Sequence, residues 1–231
     1  MKSNEELLRE IFARLDGLDY VKPEQIPDIP LYMDQLTTFM DERLAKSKRY
    51  PEDKVLTKTM INNYAKNNLL PPPDKKKYTK EHTLLLIFIY YFKNMLSFHD
   101  IETLFAPITE EHFGGQSLGR EADSRKEDLS GWSLEDIYRE IFSLEKEQMK
   151  RLKEDLIRKY RSSMKTFSPD QEQGDETVDS SPGSPGSQEY LRLFSFICAL
   201  GFDVYLKKQM MEYLIDYIRE EYPAKGKKKG L

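Results

Sequence analysis

Between Thr57 and Asn67 the chain sets Lys58, Thr59, Asn62, Asn63 and Lys66 at helical spacing, opposite Ile61, Tyr64 and Ala65. Short polar and cationic side chains in that pattern suit one chemistry well. Asparagine pairs bidentately with adenine N6 and N7 in the DNA major groove, and lysine neutralises phosphates. Further on, Lys75, Lys76 and Lys77 follow Pro71-Pro72-Pro73, where a turn would carry three ammonium groups toward phosphate oxygens. Tyr64 and Tyr78 beside them fit either phosphate contact or packing at the edge of a core. The candidate contact set for double-stranded DNA is therefore Lys58, Thr59, Asn62, Asn63, Tyr64, Lys66, Lys75, Lys76, Lys77 and Tyr78. The two asparagines also fit an ordinary polar helix surface; recognition is the favoured reading, and the alternative stays open.

The charge pattern points the same way. Residues 46–80 carry ten basic side chains against three acidic ones, a local excess of seven in a chain of formal net charge −4. A basic island in an acidic chain is the footprint of a localised phosphate-binding surface, or else an ordinary solvated face.

Several elements must position this set. With 231 residues, 39% of them hydrophobic and 12% aromatic, the chain can bury one sizeable core or two small ones without metals or disulfides. Residues 1–30 read as a short amphipathic helix followed by a Pro-rich linker. Residues 31–106 hold a helix around Leu36 and Met40, the helix beginning at Lys58, a helix from Thr79 through the strongly apolar Leu84 to Met95, and a fifth helix capped by Ser97 and ended by Pro107. Thr57 is the expected N-cap of the Lys58 helix, with Leu56 and Ile61 at staple spacing. The Leu84 run is too hydrophobic to face water and is the expected central helix.

The remaining elements are a loop over 107–132, a long helix over 133–164 opened by a Ser133–Asp136 capping box, and a disordered acidic and Ser-Pro-Gly linker over 165–188. A helical hairpin over 189–222, turning at Gly201, and a basic tail over 223–231 complete the chain. Trp132 is expected to be a packing anchor, and Cys198, the single cysteine, a small buried hydrophobe. The aromatics and methionines of the hairpin, among them Phe196, Phe202, Tyr205, Met210, Met211 and Tyr213, suit a core or an interface between helices, with core favoured.

The run from Leu56 through Ile61-Asn62-Asn63-Tyr64, Asn68-Leu69-Leu70-Pro71-Pro72 and Lys77-Tyr78-Thr79, then an apolar helix and Leu96-Ser97-Phe98-His99-Asp100-Ile101, resembles the winged helix-turn-helix of MerR-type regulators. The whole chain is also similar to a bacterial family of uncharacterised proteins related to that domain, with counterparts of Pro71-Pro72-Pro73 and Tyr205-Leu206-Lys207-Lys208-Gln209. The resemblance implies a recognition helix over 57–66, a wing entered at Asn68 and left at Lys77, and a homodimer made through the helix over 133–162. It departs from the MerR pattern at Asn62 and Asn63, where that family has an arginine and an aromatic.

The expected fold class is thus all-α, mainly helical with at most a short β-wing, and a helical region C-terminal to the winged helix-turn-helix. The expected role is a non-enzymatic, sequence-specific DNA-binding transcriptional regulator. His82, His99 and His112 lack metal-site spacing, and no Gly-rich phosphate loop follows a strand, so no metal or cofactor is expected. The N-terminus reads as an amphipathic helix instead of a signal sequence, and the longest apolar run is too short to span a bilayer, which sets the expectation of a cytoplasmic protein without membrane contact. Two rival readings are a protein-interaction scaffold that does not bind DNA and a ligand-sensing regulator with a pocket after Gly131.

Overall fold

The sequence Leu84-Leu85-Leu86-Ile87-Phe88-Ile89 offers a helix no polar position to turn toward water, so it has to be enclosed. In the computed structural model, which describes residues 4–18, 20–113, 131–167 and 185–222, every residue from His82 to Ile89 is buried. Each of these apolar side chains contributes roughly 1.5–3 kcal/mol by leaving water. Among the described residues the chain is mainly helical, with one small antiparallel sheet.

In chain order the elements are α1 (Asn4–Gly17), a 3-10 turn at Pro23–Gln25, β1 (Leu31–Tyr32), α2 (Met33–Arg43), a 3-10 turn at Ala45–Ser47, α3 (Lys58–Lys66), β2 (Lys77–Tyr78), α4 (Lys80–Phe92), α5 (Phe98–Phe113), α6 (Leu134–Ser163) and α7 (Pro185–Glu221). They divide into two compact units, one of residues 1–144 with 212–231 and one of residues 145–211. No helix among the described residues is long and apolar enough to cross a membrane.

The first unit surrounds α4. Leu36 and Met40 of α2, Ile61 and Tyr64 of α3, Ile101 and Phe105 of α5, and Leu134 and Tyr138 of α6 are all buried. The Phe88 ring lies 5.3 Å from that of Tyr138 and 5.9 Å from that of Phe105. The Tyr138 hydroxyl donates to the Val21 carbonyl at 2.6 Å, so its polar end is satisfied inside the core. The start of α4 is fixed twice. His82 Nδ1 accepts the Thr79 N–H at 3.1 Å, closing a capping box, and Lys80 Nζ reaches Asp28 at 2.5 Å and Glu135 at 2.7 Å. Hydrogen bonds to these two carboxylates hold the Lys80 ammonium above the usual lysine range. In the C-terminal part of α7 belonging to this unit, Ile215 is buried and Arg219 pairs with Asp100 at 3.2 Å.

In the second unit the Tyr160 ring of α6 meets Phe196 of α7 edge-on at 5.3 Å. Lys159 pairs with both Asp155 and Asp203, and Arg192 Nε donates to the Thr166 carbonyl at 3.1 Å.

Four expectations are corrected. α5 does not stop at Pro107 but runs on to Phe113, so 107–113 is helix and not loop. The missing N–H of Pro107 removes one helical bond, but Phe113 at the far end is buried with its ring 4.8 Å from His82, and that packing carries the helix through. The hairpin over 189–222 is instead the single helix α7, continuous through Gly201. A helical glycine costs only about 1 kcal/mol relative to alanine, no proline lies near it, and the neighbouring Asp203 is engaged by Lys159. Trp132 is 56% exposed, not a packing anchor, and Cys198 is exposed, not buried. Most of the expected loop (114–130) and linker (168–184), together with the basic tail over 223–231, lies outside the described residues.

His82 yields a pH prediction. Burial pushes this imidazole below its ordinary value of 6.5, opposed in part by the Pro72 and Pro71 carbonyls and by Glu81. Its Nε2 is buried without a hydrogen-bond partner among the described residues. The folded chain therefore favours the neutral ring: stability is full above the unfolded value and declines as pH falls from 6.5 toward the lower folded value. His82→Gln keeps the capping acceptor and cannot titrate. Thermal melts between about pH 7.5 and pH 5 should show a midpoint that falls more steeply for the parent than for H82Q; equal slopes would remove His82 as the cause.

Candidate nucleic-acid interface

Helix α3 is set by its two ends. At the first, Thr57 Oγ1 accepts the Met60 N–H at 3.2 Å, and Leu56 and Ile61 are both buried, as the staple spacing requires. At the other end Asn68 takes φ +59°, with Leu69 N–H on the Tyr64 carbonyl at 2.9 Å and Asn68 N–H on the Ala65 carbonyl at 3.4 Å. This is a Schellman closure with asparagine in the left-handed position that glycine usually fills. Asn67 Nδ2 donates to the Asn63 carbonyl at 2.8 Å. Two of the four asparagines in the segment thus terminate the helix.

The other two face outward. Ile61 and Tyr64 are buried, while Lys58, Thr59, Asn62, Asn63 and Lys66 are exposed, as the sequence pattern requires. The Asn62 and Asn63 side-chain amides make no hydrogen bond among the described residues, so their donors and acceptors are open to a base edge. Lys66 likewise forms no ion pair among the described residues. Lys58 does: its ammonium meets Asp34 in the first turn of α2.

The β-structure at the wing is short, as expected, and its strand partner lies far away in sequence. β2 pairs across to β1, with Leu31 opposite Tyr78 and Tyr32 opposite Lys77. What precedes it is a tight turn: Asp74 and Lys77 form an isolated antiparallel bridge, Lys77 N–H donates to the Asp74 carbonyl at 2.8 Å, and Lys75 and Lys76 have φ of +46° and +66°. Two consecutive left-handed residues are the type I′ pattern, normally occupied by Asn-Gly or Gly-Gly. Lysines there cost roughly 1–2 kcal/mol each. Strained backbone of this kind gathers at functional positions, and here it holds two exposed ammonium groups that form no ion pair among the described residues.

The start of α2 joins the two halves of the site. Lys77 Nζ sits 5.2 Å above the Tyr32 ring, and Asp34, two residues on, holds Lys58. Tyr64 and Tyr78 are not part of an outward surface. They are 4% and 3% exposed; the Tyr64 ring packs 5.6 Å from Phe98, and Tyr78 lies 5.6 Å from His82. Burial raises the pKa of both phenols. They brace the site from behind.

An open groove of about 590 Å³ runs beside α3, lined by Asn63, Asn67, Leu69, Phe98, His99 and Glu102. The residues from α5 escaped the sequence reading because His99 sits in a capping stretch, and only folding places it against α3. Also unforeseen were the acids that temper the basic island: Asp34 on Lys58, Asp41 on Lys48 at 2.8 Å, and Asp28 with Glu135 on Lys80. Among the described residues no cluster of His, Cys, Asp or Glu is placed to hold a metal ion.

Residues 21–124 match the model of a domain of unknown function, DUF1836. No curated protein and no solved structure matches the chain. The matched stretch contains both α3 and the lysine turn and ends before α6.

The turn gives a test that separates its two properties. Replacing Lys75-Lys76 by Asn-Gly relieves the left-handed strain, and should stabilise the fold by about 1 kcal/mol and raise the thermal midpoint by about 2–4 °C. A lower midpoint in calorimetry would show that the lysines stabilise the turn and are not there at the fold's expense.

Proposed function

We propose that this chain is a sequence-specific DNA-binding transcriptional regulator that reads bases with α3 and holds phosphates with the lysine turn. The observation that carries this reading is the outward stripe Thr59, Asn62, Asn63 and Lys66, with unengaged amides, on a helix whose opposite face is locked into the core. A recognition helix needs that combination, since base readout fails if the helix can roll. The Lys75-Lys76 turn supports it by placing cations where the backbone itself would prefer smaller residues. The resemblance of residues 56–101 to the MerR-type winged helix-turn-helix is a further support, although β2 pairs with β1 here and the wing is a single tight turn.

In mechanism, Lys66, Lys75 and Lys76 would supply sequence-independent affinity by releasing counterions from phosphates. Asn62 and Asn63 would discriminate bases, each well-placed bidentate pair being worth about 1–3 kcal/mol. Lys58 and Lys77 begin engaged, by Asp34 and Tyr32, so their transfer to phosphate has to compete with those contacts. The tyrosines Tyr64 and Tyr78 act as packing residues that fix the stripe.

Selection of bound duplexes from a random pool, followed by titration of the preferred duplex at several salt concentrations, tests the reading. Changing Asn62 and Asn63 to alanine should abolish the sequence preference and leave weak binding. Changing Lys75 and Lys76 to alanine should weaken binding to all sequences alike and reduce the salt slope by about 2. A parent chain that binds no duplex even at about 50 mM salt would sink the proposal and leave the fold as a protein-interaction scaffold.

A further inference from the structure

α7 presents an apolar face to solvent along most of its length. Tyr190 is 66% exposed, Phe194 50%, Ile197 63%, Phe202 61% and Tyr205 56%. These positions recur at helical spacing on the side away from the inward positions Arg192, Phe196 and Asp203. A helix apolar on both faces belongs in an interior; α7 has an interior on one side only.

The charges specify what can cover the other. Between Tyr190 and Leu206 the charged residues are Arg192 and Asp203, and both are engaged: Arg192 bonds the Thr166 carbonyl and Asp203 pairs with Lys159 of α6. The outward face over this stretch therefore carries no charge. A nucleic acid, a charged membrane or an acidic or basic peptide would find nothing to pair with. The matching surface has to be another uncharged aromatic and aliphatic stripe, which this chain itself supplies.

We propose that the outward face of α7 between Tyr190 and Leu206 is a homodimer interface, packing antiparallel against the same face of a second copy. The area fits. With aromatic side chains of about 150–250 Å² each, the exposed portions of Tyr190, Leu191, Phe194, Ile197, Phe202, Val204, Tyr205 and Leu206 amount to roughly 800 Å², about what each partner of a standard interface contributes. The pattern is also self-complementary. With the two-fold axis between Cys198 and Gly201, Ile197 meets Phe202 of the other copy and Phe194 meets Tyr205. The small residues fall at the crossing point. Gly201 is exposed, and a Cβ built on it would meet nothing within 4 Å, so nothing in the protomer calls for glycine there. A partner helix crossing at that point does. This places the pairing in α7 and not in the helix over 133–162, and it holds whether or not the chain binds DNA.

Sedimentation equilibrium of the full chain and oxidative cross-linking through Cys198, its single cysteine, test the arrangement together. The parent should be a dimer at tens of micromolar, an approximate range in which weak dimers form, and should give one covalent dimer band. Phe194→Glu with Phe202→Glu, both solvent-facing, should keep the circular dichroism and thermal midpoint while weakening self-association on the order of 100-fold. Tyr50→Glu, an equally exposed aromatic elsewhere, should stay dimeric. A monomeric parent overturns the proposal, as does a dimer that F194E/F202E leaves intact. A monomer that floats with neutral phosphatidylcholine vesicles would also overturn it, giving the face to a lipid surface.

Discussion

The burial of α4 is the constraint on which the first unit is built. A helix with no water-facing side from His82 to Ile89 needs neighbours all round, and Tyr78 of β2, Phe105 of α5 and Tyr138 of α6 lay their rings against it. Helix α3 is likewise held by packing more than by any propensity of its own, with Tyr64 against Phe98 of α5. Its nine residues are too few to persist alone in water, yet Ile61 at 0% and Tyr64 at 4% exposure leave it one way to sit. The orientation of Asn62 and Asn63 is thus a consequence of the core beneath them. The same packing explains why Tyr64 and Tyr78 are unavailable to a ligand. They are the contacts by which the outward stripe and β2 are anchored.

Electrostatics refine this picture. The surplus of positive charge between residues 46 and 80 looks like one continuous patch in sequence, but folding brings Asp28, Asp34, Asp41 and Glu135 onto Lys80, Lys58 and Lys48. These pairs differ in worth. Lys58 and Asp34 are both well exposed and count for little against water and salt. Lys80 is mostly shielded and meets two carboxylates, which makes it a structural clamp at the entrance to α4. Without an ion-pair partner among the described residues are Lys46, Arg49 and Lys54, Lys66 at the end of α3, and Lys75 with Lys76 at the turn, a smaller and more scattered set than the charge count implies.

Much of this was legible in the sequence because it depends on neighbours in the chain. Thr57, Ser97 and Ser133 announce their helices through side chains that bond three residues on, and those bonds form. The apolar run of α4 could only be interior. Features that depend on distant partners were not legible. β2 pairs with residues more than forty positions earlier, and nothing local to Lys77-Tyr78 names Leu31-Tyr32 as the partner of the short β-wing. Pro107 and Gly201 carry local signals to stop, and each was overruled by contacts made further along the same helix, Phe113 on His82 in one case and the Asp203–Lys159 pair in the other. The left-handed lysines gave no signal either, because the residue types that usually mark such a turn are absent.

Helices α3 and α7 distribute polarity in opposite ways. In α3 the apolar residues point inward and the hydrogen-bonding groups outward, the usual arrangement of a helix that borders water. In the stretch of α7 from Tyr190 to Leu206 the charged groups are the inward ones, engaged with the Thr166 carbonyl and Lys159, while tyrosine, phenylalanine, isoleucine and leucine point out. Solubility alone selects against such an inversion, since contiguous exposed apolar surface of several hundred Å² promotes association. Nor does the internal packing demand it: Phe196 and Tyr160 would close the inner face equally well if the outer positions were lysine or glutamate. The outward aromatics therefore need a reason outside the protomer, and their lack of charge confines that reason to a surface as apolar as themselves.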